Sequence, residues 1–170
     1  MAKQAKLNAL ALLSADHRKV EELFGEFEKA SRDGKKEKIA KQICIELKVH
    51  AMIEEEIFYP ALRGKISDDD LDEAMVEHDG AKVLINDIEA GGPESEFFEA
   101  KVKVLQEQIE HHVKEEEKQH GAIFQQARAT DVDLEALGEQ MAARKAELMA
   151  IAEGEGLPPA QPATMQHEGA

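Results

Sequence analysis

Two stretches of the chain repeat the pattern His-x-x-x-Glu, as His50-Ala-Met-Ile-Glu54 and His112-Val-Lys-Glu-Glu116. On an α-helix this spacing sets both side chains on one face, about a turn apart. An imidazole nitrogen and a carboxylate oxygen so placed are suitable ligands for a divalent transition metal. The neighbouring apolar residues identify the face. Ile43, Leu47, His50, Glu54, Ile57 and Ala61 follow at steps of 4, 3, 4, 3 and 4, and Phe98, Val102, Leu105, Ile109, His112 and Glu116 repeat those steps. Both pairs therefore belong to a stripe that faces a core. His17 falls in the same way among Leu10, Leu13, Val20, Phe24 and Phe27, and His78 among Leu71, Met75 and Ile85.

A single histidine on an apolar face is usually a hydrogen-bonded core residue, but six polar residues converging on one core are a different matter. An uncompensated buried carboxylate costs several kcal/mol, against a total stability of about 5 to 15 kcal/mol for a typical domain. Neutral imidazoles supply no charge, so Glu54 and Glu116 need cations. Zinc is satisfied by four ligands and has no use for a second carboxylate. A His/Glu set drawn from four helices fits a two-metal site in which each Glu bridges two ions. Iron is the preferred metal, while ligand type alone also admits manganese.

Four long amphipathic segments must position these residues. The first spans about Lys6 to Ser31 and stops at Arg32-Asp33-Gly34; the second runs from about Lys36 to Leu62 and stops at Arg63-Gly64. Ser67 is an N-cap for the third, which runs to about Glu89, with Asp70 three residues later and Asp68 and Asp69 complementing the helix dipole. Gly91-Gly92-Pro93 ends it and places Pro93 in the first turn of the fourth, about Glu94 to Arg128. Short loops between long helices imply an all-α, up-down-up-down four-helix bundle. A fifth amphipathic helix follows, with Leu134, Leu137, Met141, Leu148 and Ile151 on one face. Its stripe needs cover from its own bundle, a second copy in a homo-oligomer, or a protein partner. After Glu153 the Gly, Pro, Gln and Ala content predicts a disordered tail, so the organisation reads as a bundle over 1–130, an additional helix over 131–152 and a tail over 153–170.

The composition narrows the function classes. The formal charge of -15 repels a phosphate backbone or an anionic membrane surface, which argues against nucleic acid and membrane partners. Cys44, the one cysteine, cannot form an intrachain disulfide and reads as a small buried apolar residue. The Leu10-Ala-Leu-Leu13 run continues its apolar register through Val20, Phe24 and Phe27, as a retained helix does rather than a secretory leader. The expected setting is cytoplasmic.

Leu13-Ser-Ala-Asp-His17-Arg-Lys-Val20, His50-Ala-Met-Ile-Glu54-Glu-Glu-Ile-Phe-Tyr-Pro60, Glu77-His78-Asp79 and His111-His112-Val-Lys-Glu-Glu116-Glu117 together resemble the hemerythrin-type HHE cation-binding domains over about residues 7 to 128. The resemblance implies two irons joined by two carboxylates and an oxo or hydroxo bridge, with His17, His50, Glu54, His78, His112 and Glu116 as ligands. The chain departs from the oxygen-carrying hemerythrins in having Lys82 where they add a second His on the third helix, and Glu116 where they have Asp. One iron then has an additional open or water-filled position, and reversible oxygen carriage is less secured.

Among other candidates, Lys82 reads as extending to solvent and His111 as lying at the margin of the stripe. His120 continues the His112–Glu116 face toward a position beside the centre or the bundle's end. Tyr59 reads as packing beside Pro60, with a hydrogen bond near the site or iron ligation as alternatives. Glu55, Glu56, Glu115 and Glu117 read as a solvated face, and His167 as a tail residue rather than a ligand.

Three functional readings follow. The first is a di-iron protein binding dioxygen, a related small oxidant or nitric oxide among apolar side chains such as Leu13, Phe24, Leu47, Ile85 and Ile109, for sensing, storage or detoxification. The second is an enzyme turning over peroxide or nitric oxide, and the third is an iron-handling or interaction protein. The sequence does not separate enzyme from binding protein, because no dedicated acid, base or substrate pocket is legible.

Overall fold

The computed structural model describes residues 8–166, the side chain of Asp33 excepted. Helix α1 (Ala9–Lys29) begins where the Asn8 side chain accepts a hydrogen bond from the Ala11 N–H at 2.9 Å. Helix α2 (Asp33–Ile53) continues without a break through a π-helical turn (Glu54–Phe58) and a final α-helical turn (Tyr59–Leu62). Helix α3 (Asp68–Gly91) is capped as expected, the Ser67 hydroxyl accepting from the Asp70 N–H at 3.2 Å. Helix α4 (Phe98–Val113) runs into a second π-helical turn (Lys114–Lys118). Short α5 (Ile123–Arg128) and long α6 (Leu134–Glu153) complete the order.

Two apolar cores lie along the bundle. One contains Leu10, Leu13, Phe58, Leu62, Leu71 and Phe124, and the other Phe24, Ile43, Leu47, Ile85, Val102 and Leu105. Along α1 and α3 the chain passes from the first core to the second, whereas α2 runs in the opposite sense and α4 leads from the second core toward α5 in the first. That alternation is the up-down-up-down topology. Along each of α1 to α4 the candidate ligands fall at the crossing between the cores.

Several sequence expectations are corrected. The π-helical turn after Ile53 inserts extra residues into the α-helical repeat, so the buried positions beyond it become Phe58, Tyr59 and Leu62, while Ile57 and Ala61 are only half-buried. The fourth helix does not begin around Pro93: residues 93–97 form turns, and Phe97 takes a left-handed φ of 65° before α4 starts. Nor does it continue to Arg128. The chain leaves the helix at Gln119, passes through Gly121 at φ 78°, where a side chain would be strained, and resumes as α5. His120 therefore sits exposed in the break, not beside the candidate site.

Helix α6 covers its own bundle. Leu137, Met141 and Leu148 are buried in the first core, and Arg144 reaches Glu56 at 2.8 Å while Lys145 pairs with Asp16. The tail expected to be disordered follows a defined path over its described part. Asn86 exchanges two hydrogen bonds with the Ala160 backbone, donating at 2.9 Å and accepting at 2.8 Å. The Asp79 carboxylate accepts from the N–H groups of Ala163, Thr164 and Met165 and from the Thr164 hydroxyl, at 2.6 to 2.8 Å. Composition alone does not register a carboxylate that gathers a segment's backbone donors, and the prolines already limit its freedom when detached. His167 lies outside the described residues.

Candidate metal centre

The crossing between the cores gathers all six residues singled out by register. His17, His50, Glu54 and Glu116 each offer one ligand atom within 4.8 Å of the others, and Glu54, His78 and His112 form a second such group. Glu54 belongs to both: its Oε1 faces His50 Nε2, while its Oε2 is 3.1 Å from His78 Nε2. Glu116 Oε2 lies 2.7 Å from His112 Nε2. Among the described residues, the buried side-chain atoms with no hydrogen-bond partner are Glu116 Oε1, His17 Nε2, His50 Nε2 and Glu54 Oε1, the last two meeting each other only as an ion pair. These atoms belong to the four residues of the first group. Buried polar atoms are otherwise nearly always satisfied, so four orphans converging on one point fit a cation.

The far nitrogen of each of these four imidazoles is held by a carboxylate on a neighbouring helix. Asp16 of α1 holds His50 Nδ1 at 3.0 Å, Glu55 of α2 holds His78 Nδ1 at 2.8 Å, Glu77 of α3 holds His112 Nδ1 at 2.9 Å, and Glu117 at the end of α4 holds His17 Nδ1 at 2.8 Å. The four contacts make a closed ring around the bundle. An ionised carboxylate only accepts, so each Nδ1 donates and Nε2 keeps a lone pair for a metal at the centre.

Without a cation, three of these imidazoles, His50, His78 and His112, hold their protons more tightly than a free imidazole. Burial alone would lower the pKa of His50, but the carboxylates of Glu54 and Asp16 push it up to about 10. His112 and His78 are likewise raised, against burial, by neighbours that include Glu116 and Glu54 for the former and Glu54 and Glu55 for the latter. Burial would raise Glu54, yet His50, His112 and His78 hold it well below the usual carboxylate range.

Residues 8–127 match the family described as hemerythrin HHE cation binding domain. The chain belongs to that family. Its fold is similar to that of a hemerythrin HHE cation binding domain-containing protein from Mycobacterium kansasii, with a TM-score of 0.72 and 24% identity over 88% of this chain and 94% of that one. It is also 32% identical over 111 residues to a Nostoc protein named DNA nickase; the match takes in 65% of this chain but only 32% of that relative's length.

Within this HHE domain several residues have roles that the sequence reading assigned otherwise. Glu55 and Glu117, placed on a solvated face, are the partly buried partners of His78 and His17. Lys82 does not extend to solvent: it is 8% exposed and its Nζ meets Glu55 at 2.8 Å and Asp79 at 3.3 Å. The Tyr59 hydroxyl enters the site itself, donating toward Glu54 Oε2 and lying 3.0 Å from Glu116 Oε2. His111, 61% exposed on its side chain, stays outside between Glu77 and Glu115. Asp16 and Glu77 were missed altogether. Their signal was adjacency, since all four ring carboxylates stand one residue from a candidate ligand.

The four histidines also border an apolar chamber of about 200 Å³. Of the apolar residues expected around the site, Leu47, Ile85 and Ile109 line it, whereas Leu13 and Phe24 belong to the flanking cores.

Proposed function

We propose that this HHE domain is a non-haem di-iron protein that binds dioxygen or a related small oxidant, or nitric oxide, for sensing, storage or detoxification. The observation that carries the reading is the division of two buried carboxylates between two pairs of histidines. Glu54 and Glu116 would each serve both ions, His17 and His50 one of them, and His78 and His112 the other. A reduced iron pair supplies the electrons and the open coordination that such ligands require. The chain's own part is to fix four imidazole tautomers through the carboxylate ring and to surround the exposed side of the site with apolar walls. The formal charge of -15 supports a small ligand rather than nucleic acid or an anionic membrane as the partner.

One observation favours the second reading, turnover of peroxide or nitric oxide. The Tyr59 hydroxyl is a fully buried proton donor directed at Glu54 and Glu116, with its pKa held well above the ordinary phenol value by burial and by Glu116 and Glu54. It can stabilise negative charge beside the ions without losing its proton.

Protein produced with iron available should carry about two irons per chain. Metal analysis checks this directly, and Glu54→Ala or Glu116→Ala should reduce binding of both ions, not of one. A folded preparation with at most one tightly bound metal removes the di-iron reading. A stable oxygen adduct of the reduced protein supports the binding function, and catalytic consumption of peroxide supports the enzyme.

A further inference from the structure

We propose that the chamber beside the centre binds a neutral, apolar organic molecule about the size of benzene, held between the histidines and the C-terminal strap of residues 157–161. The inference rests on the two-ion reading for the floor of the chamber only, because its walls and roof are independent of the metal. Val20, Leu47, Ala81, Ile85 and Ile109 contribute the walls, and Leu157 lies in the roof. The volume of about 200 Å³ is well beyond the needs of a diatomic ligand; a water takes roughly 30 Å³ of liquid, and an engineered apolar cavity of about 150 Å³ accepts benzene.

Charge supports a neutral occupant. Each charged residue at the chamber is already paired: Asp16 with His50 and Lys145, Lys48 with Glu89, Glu55 with His78 and Lys82, and Glu56 with Arg144. A cationic ligand would have to break one of these pairs to gain a counter-ion, whereas an apolar one meets aliphatic stems and side chains. The roof is built for such contact, since it sets Leu157, Pro158 and Pro159 over the chamber while Asn86 anchors Ala160.

The test is titration of the iron-loaded full chain with benzene, followed by calorimetry and ligand-observed NMR, with metal content measured on the same sample. Benzene should bind saturably, and benzylammonium, the same ring carrying a cation that cannot ligate a metal, at least tenfold more weakly. Ala81→Leu should fill the chamber and weaken benzene at least fivefold without changing iron content. Should that variant fail to fold, Leu157→Ser decides, because residue 157 lies outside the bundle helices; it should weaken benzene severalfold. Absence of saturable benzene binding, equal or tighter binding of benzylammonium, or unchanged affinity in the folded variants overturns the proposal. Two irons without benzene binding would defeat the chamber and leave the di-iron reading standing. Benzene binding in protein that cannot hold two metals would do the reverse.

Discussion

His111 and His112 are neighbours in sequence and opposites in place. About 100° of helical rotation separates them, and it leaves the His112 Nε2 buried 2.7 Å from Glu116 while His111 faces outward. His112→Ala should therefore lose iron or the near-ultraviolet absorption of a bridged ferric pair, and His111→Ala should keep both; metal analysis and absorption spectra of the two variants check this. Equal loss from both would give His111 a part that its exposed position does not support. The ligand candidates were legible because each interrupts an apolar stripe at a position where a polar residue needs a reason. Asp16, Glu55, Glu77 and Glu117 were not, because each acts on a histidine of a different helix, and periodicity within one helix cannot show what its margin touches. Cys44 was legible on the opposite ground, as a small apolar residue between Ile43 and Ile45: it is buried, and burial pushes its thiol up to about 12.

At the scale of elements, the two π-helical turns and the strap escaped the sequence reading. A π-helical turn leaves no mark on a hydrophobic period until the period has changed, and each of these turns contains a Glu of the site, Glu54 in one and Glu116 in the other. Just after the first of these turns Tyr59 reaches the carboxylates, the hydrogen-bonding alternative to packing beside Pro60. The strap was hidden because its anchors are two isolated residues of α3, Asn86 and Asp79. Hydrogen exchange should find the amides of Ala160, Ala163, Thr164 and Met165 protected in the native protein. Asp79→Ala should release the last three, and Asn86→Ala chiefly the first. Fast exchange at all four in the unmodified chain would mean that the strap does not hold its position in solution. Since Asp79 follows His78 directly, the element that closes the chamber is tied to the helix that supplies a candidate ligand.

For the whole molecule, a core that collects two carboxylates and four imidazoles makes stability depend on what lies among them, and protons and metal should act in opposite directions with pH. In metal-free protein, the pKa of His50 is raised from an unfolded value near 6.5 to about 10. A group raised in this way contributes stability that is fully present below its unfolded pKa and is lost as pH rises through the folded one. His78 and His112 are raised as well, and act in the same direction. Glu54 is depressed, so its contribution is present above the unfolded carboxylate value and is lost in acid. Metal-free protein should thus be most stable between about pH 4.3 and 6.5 and should melt progressively lower toward pH 10. Repulsion within a chain of formal charge -15 adds to that decline. Metal requires the same imidazoles deprotonated, so its binding strengthens as pH rises out of the acid range. Ligand at a hundredfold excess over its dissociation constant stabilises by about 2.7 kcal/mol, which for a chain of this size is a shift of roughly 5 to 10 °C. The gap in melting temperature between iron-loaded and chelated protein should therefore be small at pH 5.5 and widen by pH 8.5, measured by calorimetry on matched samples. A metal-free protein that melts as high at pH 8.5 as at pH 5.5 would show that the buried imidazoles carry no protons in the folded state, and a gap that closes with rising pH would place the metal outside this core.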